Sequence, residues 1–171
     1  MPGRDVHWPV GSVIGAVSVS RADARSAEEW LTEVIWGALG GLLGAALPDM
    51  LEPADTPRHR GGAHSVLAGL TAIWINQQAR RLRGQWLEEA ETCRHMARQY
   101  PSWSAETRYW RDREARLRSA SGFVAGVSPG YLSHLLLDSQ TPAGIPLVGT
   151  STGYRPVKAR RRAGGITAGC R

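Results

Sequence analysis

Apolar residues recur at helical spacing in several stretches of the chain, and strand-like alternation stands out nowhere. After Ser26 a helical pattern runs to Leu47. Ser26 with Glu29 forms a capping box that would start this helix, and Pro48 disfavours helical backbone in the residue before it, which would end it. Gly37, Gly40, Gly41 and Gly44 each cost the helix roughly 1 kcal/mol relative to Ala. The spacing therefore predicts that another helix, of the same or a second chain, packs closely on that glycine face. A loop rich in Pro, Asp and Gly follows to about residue 62, and a second helical pattern covers about 63–99, apolar in its first half and charged in its second. It should be long, or broken near Gly84. "YPSW" at 100–103 marks a turn, after which residues 104–121 carry charges of both signs, as a solvated helix does.

The stretch "SGFVAGVSPGYLSHLLLDSQTP" returns to apolar character, with Ser128, Pro129 and Gly130 as a kink or break before a short helix over 131–139. Pro142 and Pro146 place the next residues in an extended loop. The last stretch, "YRPVKARRRAGGITAGCR", has six basic residues, no acid and almost nothing to bury, so it reads as a flexible arm. The predicted fold is all-α: a compact helical domain over 1–150 with a flexible basic tail over 151–171. Trp30, Trp36 and Trp74 read as core or interface anchors, and Trp103 and Trp110 as side chains packed between helices.

Composition narrows the picture. At 171 residues the chain suits one domain. Its net charge of +6 is local, because sixteen basic residues lie in 80–118 and from Arg155 onward. Such a surface attracts phosphate-bearing partners, whether nucleotides, nucleic acid or an anionic membrane. Cys93 and Cys170 stand far apart, which argues against a disulfide framework or thiolate metal site and for a reducing compartment. "VGSVIGAVSVSRADA" carries a faint likeness to a secretory signal, but Gly and Ser dilute it and Asp5 and His7 precede it. The longest apolar run, Val34 to Leu47, is 14 residues, short of the roughly 20 that span a bilayer. With a mean hydropathy of -0.28, this points to a cytoplasmic protein, peripheral at the inner membrane where it meets one. Phosphate-binding, dinucleotide-binding, nucleophile-elbow and H-E-x-x-H motifs are all absent.

Two clusters carry the chemistry. His134 and Asp138, four apart on a helix, emerge on one face about a turn from each other, close enough to hold one cation or two adjacent ones. Alone, the pair is more often an ordinary hydrogen-bonded stripe. Asp49, His59 and His64 change the balance, since they converge on a short restricted segment flanked by apolar helices, where a metal would satisfy several of them at once. Imidazole and carboxylate suit zinc, with manganese as the other candidate. His7 joins the set if the N-terminus folds back. Arg58 and Arg60 could grip a phosphate in bidentate fashion or stand as solvated loop residues. Glu52 and Asp55 read as loop structure before ligand or base, and His95 as surface.

"LPDMLEPADTPRHRGGAHS" followed by "GYLSHLLLDSQTPAGIPLV" resembles the YdjM-like family of metal-dependent hydrolases. Three ordered motifs carry the likeness: LPD, HR-x-x-x-H-S and G-Y-L-S-H-x-x-x-D-x-x-T-P-x-G, within residues 7–149. The resemblance implies kinship in fold with the all-helical zinc-dependent phospholipase C and single-strand nuclease superfamily. It also implies metal roles for Asp49, His64, His134 and Asp138, with His59 a ligand or its neighbour. The function this suggests is hydrolysis of phosphoesters by a metal-activated water, with Arg58 or Arg60 holding the anionic part of the substrate. The competing expectation is a non-catalytic helical protein whose basic helix and tail engage nucleic acid or an anionic membrane.

Overall fold

The computed structural model describes residues 4–20, 26–53, 61–141 and 144–148. Four helices, α1 (Arg4–Val19), α2 (Ala27–Leu51), α3 (Val66–Ala97) and α4 (Ala105–Ser139), make the all-α fold expected, and no strand occurs among the described residues. The basic tail lies outside them. Serines start three of the helices: the side chains of Ser26, Ser65 and Ser104 accept from the backbone N–H three residues on, each replacing a hydrogen bond that the first turn lacks. At the start of α3 the Val66 and Leu67 amides also donate to the carbonyls of Pro146 and Leu147, so the extended segment 144–148 covers that helix end.

Close packing answers the glycine face twice over. α2 lies against α1 on one side and α4 on the other. A Cβ built at Gly15 or Gly41 would fall under 3.0 Å from backbone of the facing helix, as it would at Gly44 on α2 and at Gly126 and Gly130 on α4. Such helix–helix approach over small residues is the device by which apolar helices associate without a large-side-chain core.

This packing also corrects the expected breaks. α2 does not stop at Leu47 but continues through Pro48 to Leu51, and α4 runs unbroken through Pro129. Each proline removes one backbone hydrogen bond, at about 3 kcal/mol in an isolated helix. Contacts on both sides of the proline hold the backbone straight enough: Gly126 and Gly130 bracket Pro129 against Gly37 and Gly41. α3 passes Gly84 without a break. The apolar run near the N-terminus forms α1, a helix of 16 residues packed into the bundle.

Burial is inverted relative to a water-soluble bundle. The buried apolar residues are mostly alanines, with Val19, Cys93 and Leu135, whereas Leu31, Ile35, Leu39, Leu42, Leu43, Leu67, Leu70, Ile73 and Trp74 face outward. Trp30, Trp36 and Trp74, expected as core or interface anchors, are not core residues, Trp36 meeting Phe123 edge-on yet staying partly exposed, and Trp103 is 81 % exposed rather than packed between helices. Among the described residues one helix, α2, is long and apolar enough to cross a membrane. Its 25 residues span about 37 Å at 1.5 Å per residue, against a hydrocarbon core of about 30 Å. The uninterrupted apolar run understated this, since the helix extends past Glu33 on one side and Pro48 on the other.

What fills the interior is polar. At one end of the bundle Glu29 and Glu33 of α2 meet arginines of α3 and α4. Arg83 donates to Glu33 and to the Val19 carbonyl, both at 2.7 Å. Arg118, 3 % exposed, reaches Glu33 at 3.3 Å, Glu91 at 2.7 Å and Glu114 at 3.0 Å. The first half of α4 is therefore not wholly solvated, as its mixed charges suggested: Arg118 and Thr107 are buried. The opposite end holds the histidines.

Candidate metal centre

Three helices and the segment just before α3 deliver side chains to that end. α1 brings His7 in its first turn, α2 brings Asp49 in its last, His64 stands just before α3, and α4 brings His134 and Asp138 from its final turns. The i, i+4 spacing works as expected, with His134 Nε2 at 3.5 Å from Asp138 Oδ2. His64 Nε2 lies 3.5 Å from Asp49 Oδ1 and 3.7 Å from Asp138 Oδ2, and His134 Nε2 lies 3.7 Å from Asp49 Oδ1. His7 stacks on the His134 ring at 4.0 Å, with its Nε2 3.6 Å from the other Asp138 oxygen, Oδ1. His7, His64, His134 and Asp138 are all buried; the Asp49 side chain is 18 % exposed and forms the accessible edge. His59, Arg58, Arg60 and Asp55 lie outside the described residues. His95 is exposed and pairs with Gln99, as a surface residue would.

The tautomers are set by hydrogen bonds to groups that can only accept. His134 Nδ1 lies 2.7 Å from the Ala45 carbonyl oxygen, so that nitrogen carries the proton and a neutral ring turns its Nε2 lone pair toward the carboxylates. His64 Nδ1 lies 3.1 Å from Glu52 Oε2, while Glu52 Oε1 accepts from the Ala63 amide at 3.0 Å. Burial alone would raise the Glu52 carboxyl, but hydrogen bonds from the Ala63 amide, the His64 ring and the Gly61 backbone hold the group below the usual carboxylate value. Glu52 is thus an ionised acceptor that fixes the His64 ring, the arrangement that orients metal-ligating imidazoles generally. Sequence reasoning ranked it as loop structure, and its spacing of twelve from His64 carries no signal of the contact.

Two imidazole nitrogens and two carboxylate oxygens thus point at one another with spacings of 3.5–3.7 Å. That is longer than hydrogen bonds, which run about 2.7–3.2 Å, and His134 Nε2, though buried, makes none among the described residues. Tetrahedral zinc with bonds of about 2.0–2.2 Å would set its ligand atoms roughly 3.3–3.6 Å apart. The Asp49–His64 and His134–Asp138 spacings of 3.5 Å match that range, and the two cross spacings of 3.7 Å lie just beyond it. Asp49, His64 and His134 form one group able to hold a cation, and His7, His134 and Asp138 an overlapping second.

Fold and site together define a class: an all-helical, membrane-associated bundle with large apolar side chains outside and a buried His/Asp cluster at one end. The chain belongs to the YdjM inner membrane protein family, whose sequence model matches residues 1–149. No curated protein and no solved structure matches it.

Proposed function

We propose that the protein is a membrane-embedded, metal-dependent hydrolase of phosphoesters. The observation that carries the reading is the convergence of two tautomerically fixed imidazoles and two carboxylates at spacings too long for hydrogen bonds. Asp49, His64, His134 and Asp138 would hold a divalent ion, zinc before manganese, with His7 on the far oxygen of Asp138 as ligand to a second. When bound, such an ion supplies a water whose pKa is lowered to about 7 and a positive charge for the attacked group. Glu52 and the Ala45 carbonyl hold the two rings with their lone pairs inward. The stacked His7 ring closes one side of the cluster against water. Asp49, at the accessible edge, marks where substrate would approach, and Arg58 or Arg60, in the segment that joins α2 to α3, would grip its phosphate oxygens. The family and the outward apolar side chains support embedding in the membrane over peripheral contact, with α2 as the spanning helix.

The test is the metal content, by plasma mass spectrometry, of detergent-purified protein and of His134→Ala. One or more equivalents of zinc or manganese in the native protein and little in the variant are expected, with hydrolysis of a chromogenic phosphoester lost in parallel. Equal metal in both, or turnover unchanged by the substitution, would refute the reading.

A further inference from the structure

α2 and α3 both pack on α4 but not on each other. The gap between them is bridged at one end by the ion pairs of Arg83 with Glu33 and Arg94 with Glu29, and at the other by His64, which meets Asp49 and Asp138. Between the two bridges lies an apolar cleft of about 540 Å³, with Leu47 on one wall, Leu67, Ala72 and Ile75 on the other, and Val127 and Tyr131 as its floor. Its volume falls in the range of small-molecule sites, roughly 300–1,000 Å³. Leu47 stands two residues before Asp49, and Tyr131 three before His134, so the cleft begins where the metal cluster ends.

The chemistry of the walls selects the occupant. Four hydroxyls border the cleft, and three already donate within the chain: Ser65 to the Gly62 carbonyl, Thr71 to that of Leu67, and Tyr131 to that of Ala63; the fourth, Ser128, is buried at the α4 side. A nucleobase or sugar entering here would leave most of its polar groups unmatched against these largely apolar walls, which is costly, whereas a hydrocarbon chain needs no such partners. Leu67 and Ile75, on the α3 rim, are 54 % and 46 % exposed, so the rim merges with the outward apolar surface of a membrane-associated protein.

We propose that this cleft seats the acyl chain of a phosphate-headed membrane lipid whose head group lies at the His/Asp cluster. The inference names the substrate class of the proposed hydrolase and rests on that reading for the placing of the head group; the seating of the chain is tested separately.

The probe is a lysophosphatidic acid with a photoreactive diazirine in its acyl chain, added to the full chain in nanodiscs. Cross-links are mapped by mass spectrometry. In the native protein the peptide containing Val127 and Tyr131 should label at least several-fold more than the outward face of α2 around Leu39 and Leu43. Thr71→Trp and Ile75→Trp, at exposed rim positions that leave the fold intact, should cut labelling of the α4 peptide about tenfold, leave the α2 face unchanged and retain zinc. Labelling of the α4 peptide no stronger than that of the α2 face, or unaltered by both substitutions, would overturn the proposal. Metal measured in the same samples separates the two ideas: metal without cleft labelling removes the lipid chain and leaves the hydrolase, whereas cleft labelling in a native protein that takes up no metal removes the hydrolase and leaves the chain in its seat.

Discussion

Gly130→Ala offers a test of the fold in which the sign of the effect is the result. In an exposed helix the change should stabilise by roughly 1 kcal/mol, the difference in helix propensity between the two residues. At position 130 a Cβ would stand 2.7 Å from both the carbonyl carbon and the Cα of Gly41, with the Gly41 oxygen closer still. Restoring ordinary contact at 3.4 Å needs a shift of at least 0.7 Å, and all the atoms met are backbone, which cannot rotate away. Overpacking of this kind costs about 1–3 kcal/mol, and rigid backbone on both sides puts it near the top of that range. Against the propensity gain the net is about 2 kcal/mol of destabilisation, or roughly 4–8 °C in Tm for a chain of this size. Gly84 provides the control, because a Cβ there meets nothing within 4 Å, so Gly84→Ala should raise Tm by a few degrees. Both variants would be followed by far-UV circular dichroism during heating in detergent. Because His134 lies one turn beyond Gly130, zinc affinity should fall with Tm in that variant and stay unchanged at Gly84→Ala. A rise in Tm for Gly130→Ala like that for Gly84→Ala would refute the close approach of α4 to α2 and the cluster geometry built on it.

Other outcomes follow from the same structure. Glu52→Gln keeps a group able to accept from His64 but removes its charge; zinc affinity, by competition with a chromogenic chelator, should weaken about tenfold, the scale seen for partners of metal-bound imidazoles. Chelation of the native protein should lower Tm, since an ion present at about 100 times its Kd contributes about 2.7 kcal/mol, and should leave the Tm of His134→Ala unchanged. Arg118→Met removes one of the two arginine partners of both Glu29 and Glu33, leaving Arg94 and Arg83; because breaking a buried pair from one side costs up to about 3–5 kcal/mol, the change should show as a clear fall in Tm. Leu39→Arg puts a charge on the outward face of α2, where insertion scales charge about 2.5–3.5 kcal/mol, and should shift protein from the carbonate-resistant membrane fraction to the wash; retention equal to the native chain would count against α2 as a spanning helix.

Local chemistry determined a good part of this in the sequence alone. Serine caps announce themselves by residue type, so the start of α2 was legible, and a run of glycines in a helix demands a compensating neighbour whatever that neighbour is. His134 and Asp138 share a face because 3.6 residues make a turn, and that holds before any tertiary contact forms. The link between the two halves of the site, Asp49 with His64 and His134 with Asp138, could be expected from residue chemistry and family likeness.

What the tertiary structure decided depends on groups distant along the chain. His7 reaches Asp138 only because α1 packs on α2 through Gly11 and Gly15 and also lies against α4, the fold-back of the N-terminus on which the sequence made its role depend. The role of Glu52 hangs on the path taken between α2 and α3. Pro48 and Pro129 do not end their helices because packing on both sides outweighs one missing hydrogen bond each, a balance that local rules do not contain. The outward direction of the leucines and tryptophans was equally hidden: periodicity says that a helix has an apolar face, and only the arrangement of glycines, ion pairs and histidines inside shows that here the large apolar side chains lie outside.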